Sequence, residues 1–232
     1  MKINRIKAIF KKQLKDTLKN KRVLIQFMVF PVLTLLIIIS VPSDGNTSEN
    51  IVSMMSVTFT GMIPAAAMAS IIAEEKEKNT LRILMMSNVK PMEYLAGLAG
   101  YIFLLCMVNY IVFALMGSFT GIRVLYFMAV LITGSIASML LGSILGIFTR
   151  NQMSLIGIMT PIILVLAYLP VFATVNTSLQ IVSWILYTQQ MNNLIYDLSA
   201  SNFTWDKFAI IGANIVILLA IFISVYRTKS LE

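Results

Sequence analysis

Six long apolar runs with no charged residue inside them restrict this chain to a narrow choice of folds. They lie near residues 23–41, 51–73, 94–117, 124–148, 153–173 and 208–226. A helix rises about 1.5 Å per residue, so each run crosses roughly 30 Å of hydrocarbon. Lipid offers the backbone no hydrogen-bond partners, and a helix satisfies its own N–H and C=O groups. The expected fold is therefore all-α: a polytopic membrane protein with a single six-span transmembrane domain over residues 23–226.

Composition supports this. The chain is 58% hydrophobic and only 12% charged, about half the charge of a soluble domain. At 232 residues, one membrane domain leaves no room for an added soluble one. The first run is long enough to remain as an anchor, so no cleavable leader is expected.

The formal charge is +8, and its placement decides what it means. Nine Lys/Arg lie in residues 1–22, and four lie in the loop 74–93. The loop 42–50 has none, the loop 118–123 has only Arg123, and the segment 174–207 has only Lys207. Arg150, Arg227 and Lys229 complete the set, giving 16 on one side of the membrane and 2 on the other. Basic loops stay inside, so both termini and the loop 74–93 are predicted to be cytoplasmic in a multi-pass protein of the cell membrane. No basic patch is interleaved with aromatics, so a nucleic acid partner is not expected. The Ile-, Lys- and Asn-rich composition points to a bacterial chain.

Several kinds of chemistry are missing. There is no histidine and one cysteine, Cys106, inside an apolar run. Neither a metal site nor a disulfide can be built from that set. No acid or base lies at mid-membrane depth, as a proton or ion relay needs. No phosphate-binding G-x-x-x-x-G-K-[ST] loop occurs. No catalytic residue is assigned, and the chain is expected not to be an enzyme by itself.

Outside the spans, residues 1–22 form an amphipathic helix with Ile3, Ile6, Phe10 and Leu14 on one face and lysines elsewhere, suited to the lipid interface. The segment 174–207 is too polar to cross and too apolar to be a free loop. Ile181, Trp184 and Ile185 fall at helical spacing, which predicts short interfacial or re-entrant helices on the outer side. In the fourth span Gly134, Ser138, Gly142 and Gly146 recur every four residues, a pattern for close helix packing. Ser53, Ser56 and Thr60 form a mildly polar stripe on the second span. It either lines a path or bonds to neighbouring helices. Asn109 and Asn214 are isolated amides suited to joining helices. Sixteen methionines suit either membrane filling or contact with an irregular apolar cargo.

The stretch "AEEKEKNTLRILMMSNVKP", residues 73–91, is the most informative. Glu74 to Lys78 carry the second span out of the membrane. Asn79 tolerates left-handed backbone angles and can end that helix. Thr80 can cap the next, a short helix with Leu81, Leu84 and Met85 on one side. Ser87-Asn88 break it, and Pro91 and Glu93 suit the first turn of the third span. Six or seven helical residues are unstable alone, so this helix needs a surface to lie on.

With these residues in place, the chain resembles the permeases of type-2 ABC exporters. Their signature is an acidic-basic run around a Glu, then Gly-Thr-Leu and a short helix before the third span; Glu77, Thr80, Leu81 and Leu84 match it. Asn79 stands where Gly is usual, and Ser87-Asn88-Val89 where a Pro-Val pair is common. The resemblance extends over the N-terminal elbow helix, six spans and the outer helices. It implies that 74–93 is a coupling loop, with Glu77, Thr80, Leu81, Leu84 and Met85 facing a separate ABC ATP-binding subunit. It also implies a second permease chain, identical or sibling, and ATP with Mg on the partner subunit rather than on this chain. The expected function is export of a peptide, drug-like or lipid-like amphiphile. The competing readings are a stand-alone carrier or channel, and a membrane scaffold or immunity protein that recruits a soluble partner.

Overall fold

A computed structural model describes residues 3–19, 21–41, 45–86, 89–174, 176–199 and 205–228. Among them there are ten α-helices and no strand. They are α1 (Ile3–Lys19), α2 (Lys21–Ser40), α3 (Gly45–Glu77), α4 (Thr80–Met86), α5 (Pro91–Met116), α6 (Ile122–Phe148), α7 (Gln152–Ala173), α8 (Thr177–Ser183), α9 (Tyr187–Ser199) and α10 (Trp205–Thr228). Six of these, namely α2, α3, α5, α6, α7 and α10, are long and apolar enough to cross a membrane.

The centre of the bundle is α3, the most buried of the six. Its small residues let other helices come close. A Cβ added at Gly142 of α6 would sit 2.3 Å from the Ala65 carbonyl oxygen, and one at Gly146 would sit 2.9 Å from Ile72 Cβ. Between these two points α6 and α3 are in backbone contact, the geometry that small residues at four-residue spacing allow. Gly134 and Ser138 extend the stripe to α9: the Gly134 position lies against Met191, and Ser138 Oγ meets Tyr187 OH at 2.8 Å. All four stripe residues thus face partners within this chain. On another side of α3, Phe59 packs edge-on against Phe27, Phe30, Tyr110 and Phe113, joining α2 and α5 at centroid distances of 5.6–6.0 Å.

The Ser53, Ser56 and Thr60 hydroxyls donate to carbonyls of their own helix, at 2.7, 2.9 and 2.8 Å. Ser56 and Thr60 are fully buried, and Ser53 is half-buried. Asn109 likewise bonds within its helix, to Leu105 O. Asn214 donates to Ile185 O at 2.9 Å and so ties α10 to the α8–α9 turn.

The segment after α7 divides in two. α8 and the turn after it expose Ile181, Val182, Trp184 and Ile185, an apolar surface suited to a membrane interface. α9 turns inward, with Tyr187, Thr188, Gln189, Gln190, Met191, Leu194 and Ile195 all buried. Its first turn reaches Gly61 at the midpoint of α3. This places a polar layer halfway along α3. Thr188 Oγ1, Gln189 Oε1 and Gln190 Oε1 are buried there without a hydrogen-bond partner among the described residues.

A buried polar group without a partner costs about 1–3 kcal/mol. Thr188→Val keeps the shape and removes the hydroxyl. The variant is therefore expected to gain about 1 kcal/mol and melt a few degrees higher in detergent; an unchanged or lower Tm would show that the hydroxyl is satisfied.

Candidate functional site

The charged end of α3 is bonded to α1, to the end of α6 and to the start of α7. α3 runs to Glu77, and Asn79 then turns the chain with φ 55°. That is the left-handed backbone that Asn tolerates better than most residues. The Asn79 carbonyl accepts the first bond of α4, from Ile83 N–H at 3.3 Å. Thr80 does not cap α4. Its hydroxyl donates backwards to Glu75 O at 3.1 Å and closes the end of α3, because Thr80 is already the first residue of α4.

α4 lies with one side on the protein. Leu81 is 2% exposed and belongs to the main core, and Leu84 packs against that core. Burying the Leu81 side chain contributes about 2 kcal/mol, which offsets the instability of so short a helix. The other side points outward, with Ile83 65% and Met86 80% exposed. The Met85 side chain lies outside the described residues. Sequence periodicity therefore grouped the face that seats α4, and the outward apolar pair is Ile83 and Met86.

The charges of residues 74–78 are not a uniformly solvated run. Glu75 is buried; Lys12 Nζ and Gln13 Nε2 of α1 donate to its Oε1 at 2.9 and 2.8 Å. Lys76 reaches the end of α6, and Glu77 the start of α7: Lys76 Nζ donates to Ile147 O and Thr149 O at 2.8 and 2.6 Å, and Gln152 N–H donates to Glu77 Oε2 at 3.0 Å. Glu74 pairs with Lys78 one turn on. The hydrogen bond that Lys78 donates to Glu74 raises the Lys78 pKa, as does the Glu74 charge. Both groups are solvated, so the pair stabilises the end of α3 little.

α1 is bound to the same end of the bundle. Its buried face is Ile9, Gln13 and Thr17, while Ile3 is exposed. The face is thus rotated from the Ile3, Ile6, Phe10, Leu14 line. Two partners set it. A Cβ at Gly97 of α5 would lie 3.0 Å from Ile6 O, so the helices touch along that line. Polar residues then find polar partners, Gln13 with Glu75 and Thr17 with Tyr101.

Arg5 adds an ion pair to Glu93 at 3.4 Å. Glu93, 1% exposed, also accepts from Lys90 N–H at 3.2 Å at the start of α5. Glu93→Ala removes both interactions and is expected to cost about 1–2 kcal/mol, read as a lower Tm. Glu93→Gln, which keeps an acceptor, should recover part of it.

Among the described residues no group of His, Cys, Asp or Glu is arranged to hold a metal. What the end of α3 offers is a surface. A short helix is braced on its inner side, carries two apolar residues on its outer side, and is tied by neighbouring charges to α1, α6 and α7.

Six helices long and apolar enough to cross a membrane define a multi-pass membrane protein. The pattern of the ABC-2 type transporter matches residues 4–203, and the chain belongs to that family. It is the membrane permease component of an ABC transporter, a kind of system that includes an ATP-binding subunit. No curated protein matches the chain.

Proposed function

We propose that this chain is the export permease subunit of an ATP-driven transporter and that α4 is the element on which a separate ATP-binding subunit docks. The observation that carries this is the two-sided character of α4: Leu81 is held by the bundle, and Ile83 and Met86 are presented away from it. An apolar pair beside a charged run suits the groove of a soluble protein, as the coupling helices of type-2 exporters are used. Glu77, Thr80, Leu81 and Leu84 belong to that docking element, and Ile83 and Met86 form its outer part.

The end carrying α4 is then cytoplasmic, together with both termini, in the cell membrane of a bacterium. ATP and Mg belong to the partner; this chain supplies the path and the lever. A second permease chain completes the path. The apolar faces of α2, α7 and α10 that point away from the bundle are available to that chain and to lipid. The cargo class is a peptide, drug-like or lipid-like amphiphile, in keeping with the sixteen methionines of the chain.

The test is co-expression with the ABC ATPase encoded beside this chain, followed by purification in detergent. A stoichiometric complex that hydrolyses ATP supports the reading. A permease that purifies alone, correctly folded, overturns it.

A further inference from the structure

Lys76 and Glu77, the last two residues of α3, each hold a different helix end. Lys76 Nζ lies 2.8 Å from Ile147 O and 2.6 Å from Thr149 O, where α6 ends. Glu77 Oε2 accepts the Gln152 N–H at 3.0 Å, where α7 begins. Carbonyls in the last turn and N–H groups in the first turn have no partner within their own helix. The signs agree with the helix dipoles: a cation at the negative end of α6 and an anion at the positive end of α7. Only residues 149–151 connect the two helices, so both ends of a tight hairpin are gripped by adjacent residues. On the other side, Asn79 and the Thr80–Glu75 bond join α4 to α3 within three residues.

We propose that Lys76 and Glu77 are positioning residues that clamp the α6–α7 hairpin to α3, so that a displacement of α4 reaches the start of α7. This rests on the permease reading above, because it needs a partner to displace α4. The clamp is not what keeps the bundle folded. Lys76 is half-buried and Glu77 exposed, whereas α3 and α6 are held by the backbone contact at Gly142 and Gly146. The clamp transmits motion to α7 in particular. α5 packs on α3 through Phe59 against Tyr110 and Phe113, and its first turn is tied to α1 through Glu93 and Arg5.

Two measurements test this. The first uses the permease alone and follows hydrogen exchange of the Gln152 amide. Glu77→Ala is expected to speed that exchange about tenfold, the effect of one lost bond to a charged acceptor. Lys78→Ala is the control and should leave it unchanged. An unaffected Gln152 amide in Glu77→Ala overturns the clamp whether or not an ATPase binds. The second uses the complex with the ATPase, with spin labels at Met92→Cys on α5 and Met153→Cys on α7. Both sites are accessible, and the native Cys106 is buried and stays unlabelled. Trapping with ATP and vanadate is expected to shift the 92–153 distance in the wild-type background. The shift should be lost in Lys76→Met although ATPase binding and Tm are retained. The same shift in Lys76→Met as in wild type, or no shift in an active wild-type complex, overturns the proposal. Failure to retain the ATPase counts against the permease reading instead, and leaves the exchange result to decide the clamp.

Discussion

Ile83→Asp is expected to release the ATP-binding subunit while the permease itself melts at the wild-type temperature. Ile83 is 65% exposed and makes no part of the core, so a carboxylate there stays hydrated and costs the free permease little. In the complex it would have to be desolvated against an apolar groove. Residues at the centre of such contacts account for about 2 kcal/mol or more, which corresponds to a loss of affinity of about 30-fold. Met86→Asp should act in the same direction. Leu81→Asp also loses the subunit, for a different reason: at 2% exposure its carboxylate would be buried without a partner, at a cost of about 3–5 kcal/mol. That variant should therefore show a lowered Tm together with lost binding. The two measurements, retention of the ATPase in detergent and melting temperature, separate the outer face of α4 from its inner one. If Ile83→Asp and Met86→Asp both keep the subunit, the outer face of α4 is not the contact and the subunit docks elsewhere on the permease.

The all-α membrane fold was legible because lipid leaves the backbone so few options. Charge-free runs of the right length are enough to read six spanning helices, and the structure has six helices of that kind. The left-handed turn at Asn79 was legible too, since few residue types other than Gly tolerate φ 55°. What could not be read was which apolar or polar group meets which. Periodicity places Leu81, Leu84 and Met85 on one side of a helix, but it cannot say whether that side faces the chain's own core or a partner. The same limit applies to α1. Hydrophobic ranking favours Ile3 and Leu14, while the buried face includes Gln13 and Thr17 because Glu75 and Tyr101 stand opposite. Glu75 reads as one charge among five and is buried. The polar turn Tyr187–Gln190 looks like a surface segment until α9 is seen to enter the bundle. Each of these depends on contacts between residues distant in sequence, and a single sequence does not display them.

Gly142→Val is expected to prevent accumulation of folded protein, and Gly142→Ala to lower stability by about 3 kcal/mol, at the upper end of what overpacking usually costs. The cause is what the new atom would meet. A Cβ at residue 142 falls 2.3 Å from the Ala65 carbonyl oxygen and 2.9 Å from Ala65 Cα. Backbone cannot rotate away as a side chain can, so α6 would have to part from α3 along its whole contact. The same stripe supplies graded comparisons. At Gly146 the nearest atoms are Ile72 Cβ at 2.9 Å and Ala69 O at 3.1 Å, a milder conflict. At Gly134 they are the Sδ and Cε of Met191, the far end of a flexible side chain that can turn aside. At Gly212 of α10 nothing lies within 4 Å. Its alanine variant should be neutral or slightly stabilising, because glycine inside a helix costs about 0.5–1 kcal/mol relative to alanine. The expected order of melting temperatures for the alanine variants is therefore 142 lowest, then 146, then 134, with 212 at or above wild type. A uniform loss at all four positions would mean that helix propensity, not contact, governs them. A large loss at 212 alone would place that face of α10 against another chain. The order matters for transport as well as for folding. The contact that Gly142 permits holds α6 parallel to α3 up to the point where Lys76 meets Ile147 O and Thr149 O. A variant that folds with α6 displaced would carry those carbonyls out of reach of Lys76, and would be expected to bind the ATPase through an intact α4 while failing to move α7.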